Sequence, residues 1–390
     1  MVGPSSKFLR LTKLAAGQFA ILALLLVVAD VLLWIILPVA NEGVHSHHYR
    51  NQNVDGLQQQ VHYRTIGHRV RSATMTSLSK PKGTRRVLCI GASTTDQANQ
   101  NIQDTWCARL EAEAAGGLGK AEFHMVSYGR GGDRVVDTAR WLREMIDVVE
   151  PDVVVTLLGI NDLAWGGGPG YELRTVEGPR RKSERSVREQ SFLQRCAEVS
   201  QLCRRVSAAR NGFAVRANIG AGRMVNWDSG NLPNLQKAYR ELPAADKVVR
   251  DPDPIEEFQG GVVWLLDFLK RRQVDVVVLG QPVVWRPDLP DDERHSLWFS
   301  VSSNTGKVRP GLDWLAGEMK RYNSIQEREA VARGYAYLDL NALMPKSREV
   351  FFDDCHFTDK GSHLIAQRTA PVLQKVLLKR ALAAKRGAPS

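Results

Sequence analysis

The sequence predicts an α/β fold in which a parallel β-sheet is covered by helices on both faces. Short apolar runs rich in β-branched residues alternate with longer helical patterns, and no internal repeat interrupts this order. Strands and helices that alternate in this way form parallel sheets with both faces buried. The 390 residues and the 43% hydrophobic content allow a sizeable core.

Five apolar runs are the predicted strands, and five helical patterns lie between or after them. The strands are expected at residues 86–91, 121–127, 151–159, 274–282 and 335–340. The helices are expected near residues 105–115, 134–149, 257–272, 313–333 and 360–381. The regular order fails at about residues 165–253, which we interpret as an insertion beside the sheet, either a lid or a partner surface, with a helix near 186–209.

The amino-terminal segment predicts a membrane anchor. Residues 14–40 are apolar except for Gln18 and Asp30, and at ~1.5 Å per residue a helix of this length exceeds a ~30 Å hydrocarbon core. Lys7, Arg10 and Lys13 precede the segment, and the near downstream flank has no Lys or Arg. This asymmetry predicts a cytoplasmic amino terminus (residues 1–13) and a domain outside the cytoplasm, on the periplasmic or extracellular face.

The remaining boundaries follow from composition. Residues 41–84 are polar and are expected to be a linker, residues 85–380 the folded domain, and residues 381–390 a basic tail. The net charge of +11 is spread among many arginines, with clusters near residues 178–185 and 378–386. We interpret most of these basic residues as solvated surface. No nucleic-acid-binding motif accompanies this charge, so a nucleic-acid partner is not expected. No CxxC pair occurs, so no metal site is expected.

Polar residues follow the predicted strands and the last apolar run. Ligands of open parallel sheets bind at the carboxyl ends of the strands, so these exits are candidate sites. Ser93 follows the first strand, Gly129 the second and Asn161 the third. Near the carboxyl terminus, Asp353 lies three residues before His356. A serine nucleophile needs a base, and the base needs an acid that fixes its tautomer.

Four blocks together resemble the SGNH hydrolase superfamily, also called GDSL-like esterases and lipases. They are GAST (residues 91–94), SYGRGG (127–132), GIND (159–162) and DDCH (353–356), in the family's order. Ala92 and Thr94 replace the Asp and Leu of GDSL. The resemblance implies a flavodoxin-like three-layer sandwich and ester or acyl-transfer chemistry without a cofactor.

The resemblance also implies residue roles. Ser93 would be the nucleophile, His356 the base and Asp353 the acid, although the adjacent Asp354 is an alternative acid. The backbone N–H groups of Ser93 and Gly129 and the side-chain amide of Asn161 would donate to the oxyanion. We expect Gly129 to let the backbone approach the substrate closely. We also expect a structural role for Asp162, namely to orient the loop that presents Asn161.

The predicted function is that of a serine esterase that removes acyl groups, most simply acetyl, from a cell-envelope or exported polysaccharide. The triad motivates the reaction, and the anchor motivates the substrate class. An acyltransferase that moves an acetyl group onto a polysaccharide is the first alternative, and an inactive envelope scaffold is the second. A small acylated molecule, a lysophospholipid or a thioester remains open as substrate, and the oligomeric state is unknown.

Overall fold

The computed structural model describes residues 6–36, 46–54, 57–118, 123–167, 170–179, 200, 202–203 and 232–387. The chain divides into two compact units. One unit comprises Met1–His45 and Arg188–Val225, and the other comprises Ser46–Val187 and Asn226–Ser390. The candidate site lies entirely in the second unit.

Helix α1 (Ser6–Ile36) is the main described element of the first unit. Large apolar side chains along it, including Phe19 and Leu24, are exposed. The Asp30 carboxylate accepts hydrogen bonds from the Ser200 hydroxyl at 2.9 Å and from the Leu202 backbone N–H at 2.7 Å. Within the described part of the chain, no helix is both long and apolar enough to cross a membrane.

The second unit begins with an antiparallel hairpin of β1 (Ser46–Val54) and β2 (Leu57–Thr65). The predicted polar linker over residues 41–84 differs from the structure here. Ile66, Val70 and Met75 are buried in the main core, and Arg71 forms an antiparallel bridge to Ser127. Three apolar side chains spaced over ten residues form too weak a periodic pattern to identify this segment as core.

A five-stranded parallel sheet forms the centre of the second unit. Its strands are β3 (Arg85–Gly91), β4 (Phe123–Gly129), β5 (Val153–Leu157), β7 (Asp275–Leu279) and β10 (Ala336–Leu338). The order across the sheet is β10-β7-β5-β3-β4, and every neighbouring pair is parallel. This is the flavodoxin-like order, so the predicted sheet and its five strands are confirmed.

Helices follow each strand and complete the α/β architecture. The longer ones are α3 (Trp106–Leu118), α4 (Val135–Val149), α6 (Leu232–Glu241), α7 (Pro254–Arg271), α9 (Leu312–Ala332) and α11 (Asp359–Gly387). The short ones are α2 (Ser93–Asp96), a 3-10 turn (Ile102–Asp104), α5 (Ile160–Ala164), α8 (Asp291–Arg294) and α10 (Leu340–Leu343). All five predicted sheet helices are present. Helix α11 continues to Gly387, into the predicted basic tail.

A second, three-stranded sheet was not predicted. It consists of β6 (Ala244–Ala245), β8 (Val301–Ser303) and β9 (Gly306–Pro310), in the order β6-β9-β8. Two of its strands lie between β7 and α9, and the third lies at the end of the predicted insertion. The predicted helix near residues 186–209 falls outside the described residues, except for positions 200, 202 and 203.

Candidate active site

Ser93 lies where β3 ends and a single helical turn begins. Strand β3 is buried along Val87–Ile90, as expected for a parallel strand covered on both faces. Immediately after it, Ser93 is the first residue of α2 and is partly exposed, whereas Thr94 and Thr95 are fully buried. The turn therefore presents one hydroxyl of the three at the carboxyl edge of the sheet.

Gly129 ends strand β4 at the same level as Gly91, which ends β3. A Cβ atom at position 129 would lie 2.3 Å from the backbone nitrogen of Asp96 and 2.7 Å from the carbonyl oxygen of Ala92. The crowding thus comes from the α2 turn that carries Ser93. We expected a glycine here because it lets the backbone approach the substrate closely, and the structure adds a second reason, the close packing of β4 against α2.

Asn161 lies in α5, directly after strand β5. Gly159 lies between β5 and α5, and its φ of +114° turns the chain from the strand into the helix. The Asn161 amide donates from Nδ2 to the carbonyl oxygen of Asp133 at 2.9 Å. This bond fixes the orientation of the amide beside the loop that follows Gly129.

Asp162 is anchored to the same loop from the other side. Its carboxylate accepts from the backbone N–H of Val135, with N–O distances of 3.1 and 3.2 Å. Burial raises the pKa of Asp162 to about 7. The neighbouring residues Asn161 and Asp162 therefore attach α5 to residues 133–135 at two points, which is the geometry that a loop-orienting role for Asp162 requires.

Ser93, His356 and Asp353 form a continuous chain of hydrogen bonds. Ser93 Oγ lies 2.8 Å from His356 Nε2, and His356 Nδ1 lies 2.8 Å from Asp353 Oδ2. Because a carboxylate can only accept, Nδ1 carries the proton of the neutral ring and Nε2 is left to accept from the serine hydroxyl. This is the arrangement required of a nucleophile, a base and an acid.

The environment of Asp353 favours its charged form. Burial alone would raise the pKa of this carboxyl, but the adjacent His356 ring and the backbone N–H groups of Cys355 and His356 hold it below its ordinary value. The two backbone donors lie 3.0 and 2.8 Å from Oδ1. An ionised Asp353 can thus stabilise a protonated His356.

The adjacent Asp354 makes a different set of contacts. It accepts from Trp285 Nε1 at 2.7 Å and from the backbone N–H groups of Trp298 and Phe299 at 2.8 and 3.0 Å. Burial raises its pKa to about 7. Of the two candidate acids, the one that contacts His356 through its carboxylate is Asp353.

Trp298 is a residue of this site that sequence reasoning missed. Its indole Nε1 donates to Asp353 Oδ2 at 2.9 Å, and its ring is nearly parallel to that of His356, with centroids 6.2 Å apart. Phe352 lies near the same imidazole, at 5.7 Å between centroids. Trp298 belongs to the segment between β7 and α9, where no periodic pattern marks it, so no signal in the sequence identified it.

A buried polar network connects the turn after Ser93 to the segment around His356. Gln97 Nε2 donates to Ser362 Oγ at 2.6 Å and to Gln100 Oε1 at 3.0 Å. Gln100 Nε2 donates to the carbonyl oxygen of Phe357 at 2.8 Å. All three polar side chains are buried. Their hydrogen bonds therefore hold the α2 turn, which carries Ser93, at a fixed distance from the segment that carries His356.

Among the described residues, one cluster at the site carries three potential metal ligands. Asp353, Cys355 and His356 bring one possible ligand atom each within 4.8 Å of one another. Two of these atoms already face each other in the hydrogen bond between His356 Nδ1 and Asp353. A metal ion there would have to replace that bond, so the donor set fits a catalytic triad better than a metal centre.

The comparison with protein families agrees with this geometry. The model of the GDSL-like Lipase/Acylhydrolase family matches residues 89–364, which include all four blocks. The chain therefore belongs to the GDSL-like lipase/acylhydrolase (SGNH) family, a family of ester hydrolases. The comparison with curated proteins gives no match.

The chain also aligns with solved structures that are distant in sequence. An acetyl xylan esterase is 12% identical, with a TM-score of 0.39, over 74% of this chain and 99% of its own. Axe2, an acetylxylan esterase from Geobacillus stearothermophilus, is 12% identical, with a TM-score of 0.38, over 75% and 96%. A GDSL-like lipase from Bacteroides thetaiotaomicron is 11% identical, with a TM-score of 0.36, over 75% and 89%.

Proposed function

We propose that the protein is a serine esterase in which Ser93 is the nucleophile, His356 the base and Asp353 the acid. The observation that carries the proposal is the pair of 2.8 Å contacts that joins Ser93 to His356 and His356 to Asp353. The family supports ester hydrolysis as the reaction class.

The reaction begins with proton transfer from Ser93 Oγ to His356 Nε2 as the oxygen attacks the ester carbonyl carbon. Asp353 stabilises the imidazolium that forms. The carbonyl oxygen becomes an oxyanion, for which the backbone N–H groups of Ser93 and Gly129 and the Asn161 amide are the proposed donors. These three residues follow strands β3, β4 and β5, which are neighbours in the sheet.

Collapse of this intermediate breaks the bond to the alcohol, which leaves with the proton from His356. Water then attacks the acyl-Ser93 carbonyl while His356 takes its proton, and return of that proton to Ser93 releases the carboxylic acid. Ser93 and His356 are thereby regenerated.

The proposed substrates are O-acetyl esters on cell-envelope or exported polysaccharide. Support for this class comes from the proposed location outside the cytoplasm. The apolar segment over residues 14–40 and the three basic residues before it support a membrane anchor with the amino terminus in the cytoplasm. A reporter fused after Ser390 should then be active only outside the cytoplasm, and activity inside would overturn the location.

The reaction is tested with the full chain in detergent, an aryl acetate as substrate and a fluorophosphonate as covalent probe. The wild-type protein should hydrolyse the ester and be labelled on Ser93. Ser93→Ala should neither hydrolyse the ester nor be labelled, and it should keep the wild-type melting temperature. Ser324→Ala is a control for the loss of a hydroxyl, because Ser324 is exposed on α9 and its hydroxyl donates to the Lys320 carbonyl of the same helix. Labelling or hydrolysis that persists in Ser93→Ala would refute the proposal.

A further inference from the structure

Cys89 and Cys107 lie in contact close to the nucleophile turn. Cys89 is in the middle of β3, four residues before Ser93, and Cys107 is the second residue of α3. Their Sγ atoms are 2.6 Å apart, so close that two thiols without a covalent bond between them would overlap. Among the four cysteines that the structure describes, these two form the pair whose sulfur atoms meet.

The separation of the two cysteines is set by contacts that do not involve sulfur. Trp106, next to Cys107, donates from its backbone N–H to Gln97 Oε1 at 2.6 Å and from its indole Nε1 to the Thr94 carbonyl oxygen at 3.1 Å. Thr94 is in the α2 turn and Gln97 directly follows it. The start of α3 is thereby held against the end of β3, so a bond between the two sulfurs requires no movement of the strand or the helix.

The pair is shielded from solvent. Both side chains are buried, and Cys107 Sγ is also 3.7 Å from the carbonyl oxygen of Val126 in β4. Burial raises the pKa of the Cys89 thiol. Because the thiolate is the reactive form, the pair in the folded protein is slow to react, and a disulfide there is protected from reductants. Such a bond must therefore form during folding, before α3 packs against β3.

We propose that Cys89 and Cys107 are joined by a disulfide. The oxidant is the disulfide of a thiol–disulfide exchange protein or of a small thiol. One cysteine thiolate attacks that disulfide and releases its first thiol, and the second cysteine thiolate then attacks the mixed disulfide and releases the other thiol. The two cysteines lose two electrons and two protons, which the two sulfurs of the oxidant gain. The proposal rests on the proposed location outside the cytoplasm, where disulfides persist.

The bond would close a loop that carries the nucleophile. The two cysteines are 18 residues apart, and the segment between them includes Ser93, the α2 turn and the 3-10 turn. Closing a loop of this size restricts the unfolded chain and thereby favours the folded state. The hydrogen bond between Ser93 and His356 involves neither sulfur. The disulfide should therefore raise the melting temperature and leave kcat unchanged.

The first test is mass spectrometry of the full chain. The protein is extracted in detergent from the cells that produce it, denatured in N-ethylmaleimide and digested with trypsin without a reductant. One tryptic peptide, residues 87–109, contains both cysteines. It should carry no N-ethylmaleimide and be two hydrogen atoms lighter than the dithiol, and after reduction it should take up two alkyl groups. Two N-ethylmaleimide groups on the unreduced peptide, or a link from it to another cysteine, would overturn the inference.

Two variants show whether the bond is specific to this pair. In Cys107→Ala the peptide should carry one N-ethylmaleimide group on Cys89. Cys203→Ala removes a cysteine of the other compact unit and should leave the peptide unlabelled, as in the wild type. Labelling of the peptide in Cys203→Ala would assign the bond to a different pair.

Refolding makes the test independent of location. The reduced and denatured full chain is diluted into detergent with glutathione and glutathione disulfide, and a cooperative thermal melt shows that it has refolded. The same cross-linked peptide should form, and the melting temperature should be about 5 °C or more above that of a sample refolded with reductant. A refolded chain without the link would overturn the inference. A reporter after Ser390 that is active inside the cytoplasm would instead overturn the proposed location.

Discussion

The nucleophile side and the acid side of the candidate site are built in different ways. Ser93, Gly129 and Asn161 each lie within four residues of the end of a strand, and the three strands are neighbours in one parallel sheet. Asp353 lies in a segment without regular structure, and a tryptophan 55 positions away in the sequence, Trp298, donates to it.

This difference shows what each side depends on. On the nucleophile side, strand register sets the positions, because parallel strands of one sheet end at the same edge. On the acid side, side-chain and backbone donors from residues 285–299 hold two adjacent carboxylates in place. Substitutions on the acid side therefore distinguish a residue that bonds to His356 directly, Asp353, from a residue that acts on it through Asp353, Trp298.

The largest effect is expected from Asp353→Asn. An amide in place of the carboxylate can donate to Nδ1 and favours the wrong tautomer of His356, so kcat should fall by about 10⁴-fold. Asp354→Asn should reduce kcat per folded molecule by less than about tenfold, because Asp354 contacts Trp285 and the backbone of Trp298 instead. Steady-state kinetics with an aryl acetate measures both values. Equal losses, or the larger loss at Asp354, would move the acid by one residue.

Asn161→Ala tests the nucleophile side. If the amide donates to the oxyanion, kcat should fall by roughly 10² to 10³-fold, about 3 to 4 kcal/mol of transition-state stabilisation, with little change in KM. The variant also loses the bond to Asp133, so a thermal melt on the same preparation is needed. Normal turnover in a well-folded variant would remove Asn161 from the oxyanion site.

Trp298→Phe tests the indirect contact on the acid side. The ring is retained, but the N–H that donates to Asp353 Oδ2 is lost, so the carboxylate becomes less stable and its pKa should rise. We expect kcat to fall by about tenfold, consistent with one hydrogen bond to a charged group. The acid limb of the pH–rate profile should move as well, a readout that simple loosening of the fold would not change. A profile identical to wild type would show that Trp298 only fills space.

The smallest effect on turnover is expected at Asp354, where the quantity to measure is stability against pH. Its pKa is about 7 in the folded protein and near 3.8 ordinarily. Between these values the unfolded chain has lost the proton and the folded chain keeps it, so the contribution of Asp354 to stability is present at low pH and is lost as the pH rises towards 7. From pH 4 to pH 8 the free energy of unfolding of wild type should therefore fall by about 4 kcal/mol relative to that of Asp354→Asn. Denaturant titrations at the two values measure it, and a constant difference would contradict the shifted pKa.

Much of the sheet could be predicted from the sequence because its pattern is local. Val153–Leu157 is apolar except for Thr156 and forms a strand buried on both faces, as expected. The four blocks were found because each directly follows a strand or precedes the last helix. Of the residues that the sequence analysis identified, Ser93 and Asp353 both contact His356 in the structure.

The parts that could not be predicted depend on long-range contacts. Trp298 and Trp285 reach the two carboxylates from a segment with no helical or alternating pattern. Ile66 and Val70 pack into the core from a stretch that is otherwise polar. At Gly129 the glycine was identified as important, but its tight packing against α2 was not, because the crowding with Asp96 comes from a turn 33 residues earlier in the chain.

The fit of Gly129 against the α2 turn also limits how this enzyme could be re-engineered. Because a Cβ there would overlap the backbone of Asp96 and Ala92, no side chain can enter without displacing the turn that carries Ser93. The strand end and the nucleophile turn thus behave as one rigid part, and saturation mutagenesis of position 129 would mostly yield inactive protein. Libraries aimed at new ester substrates are better directed at positions outside this rigid part.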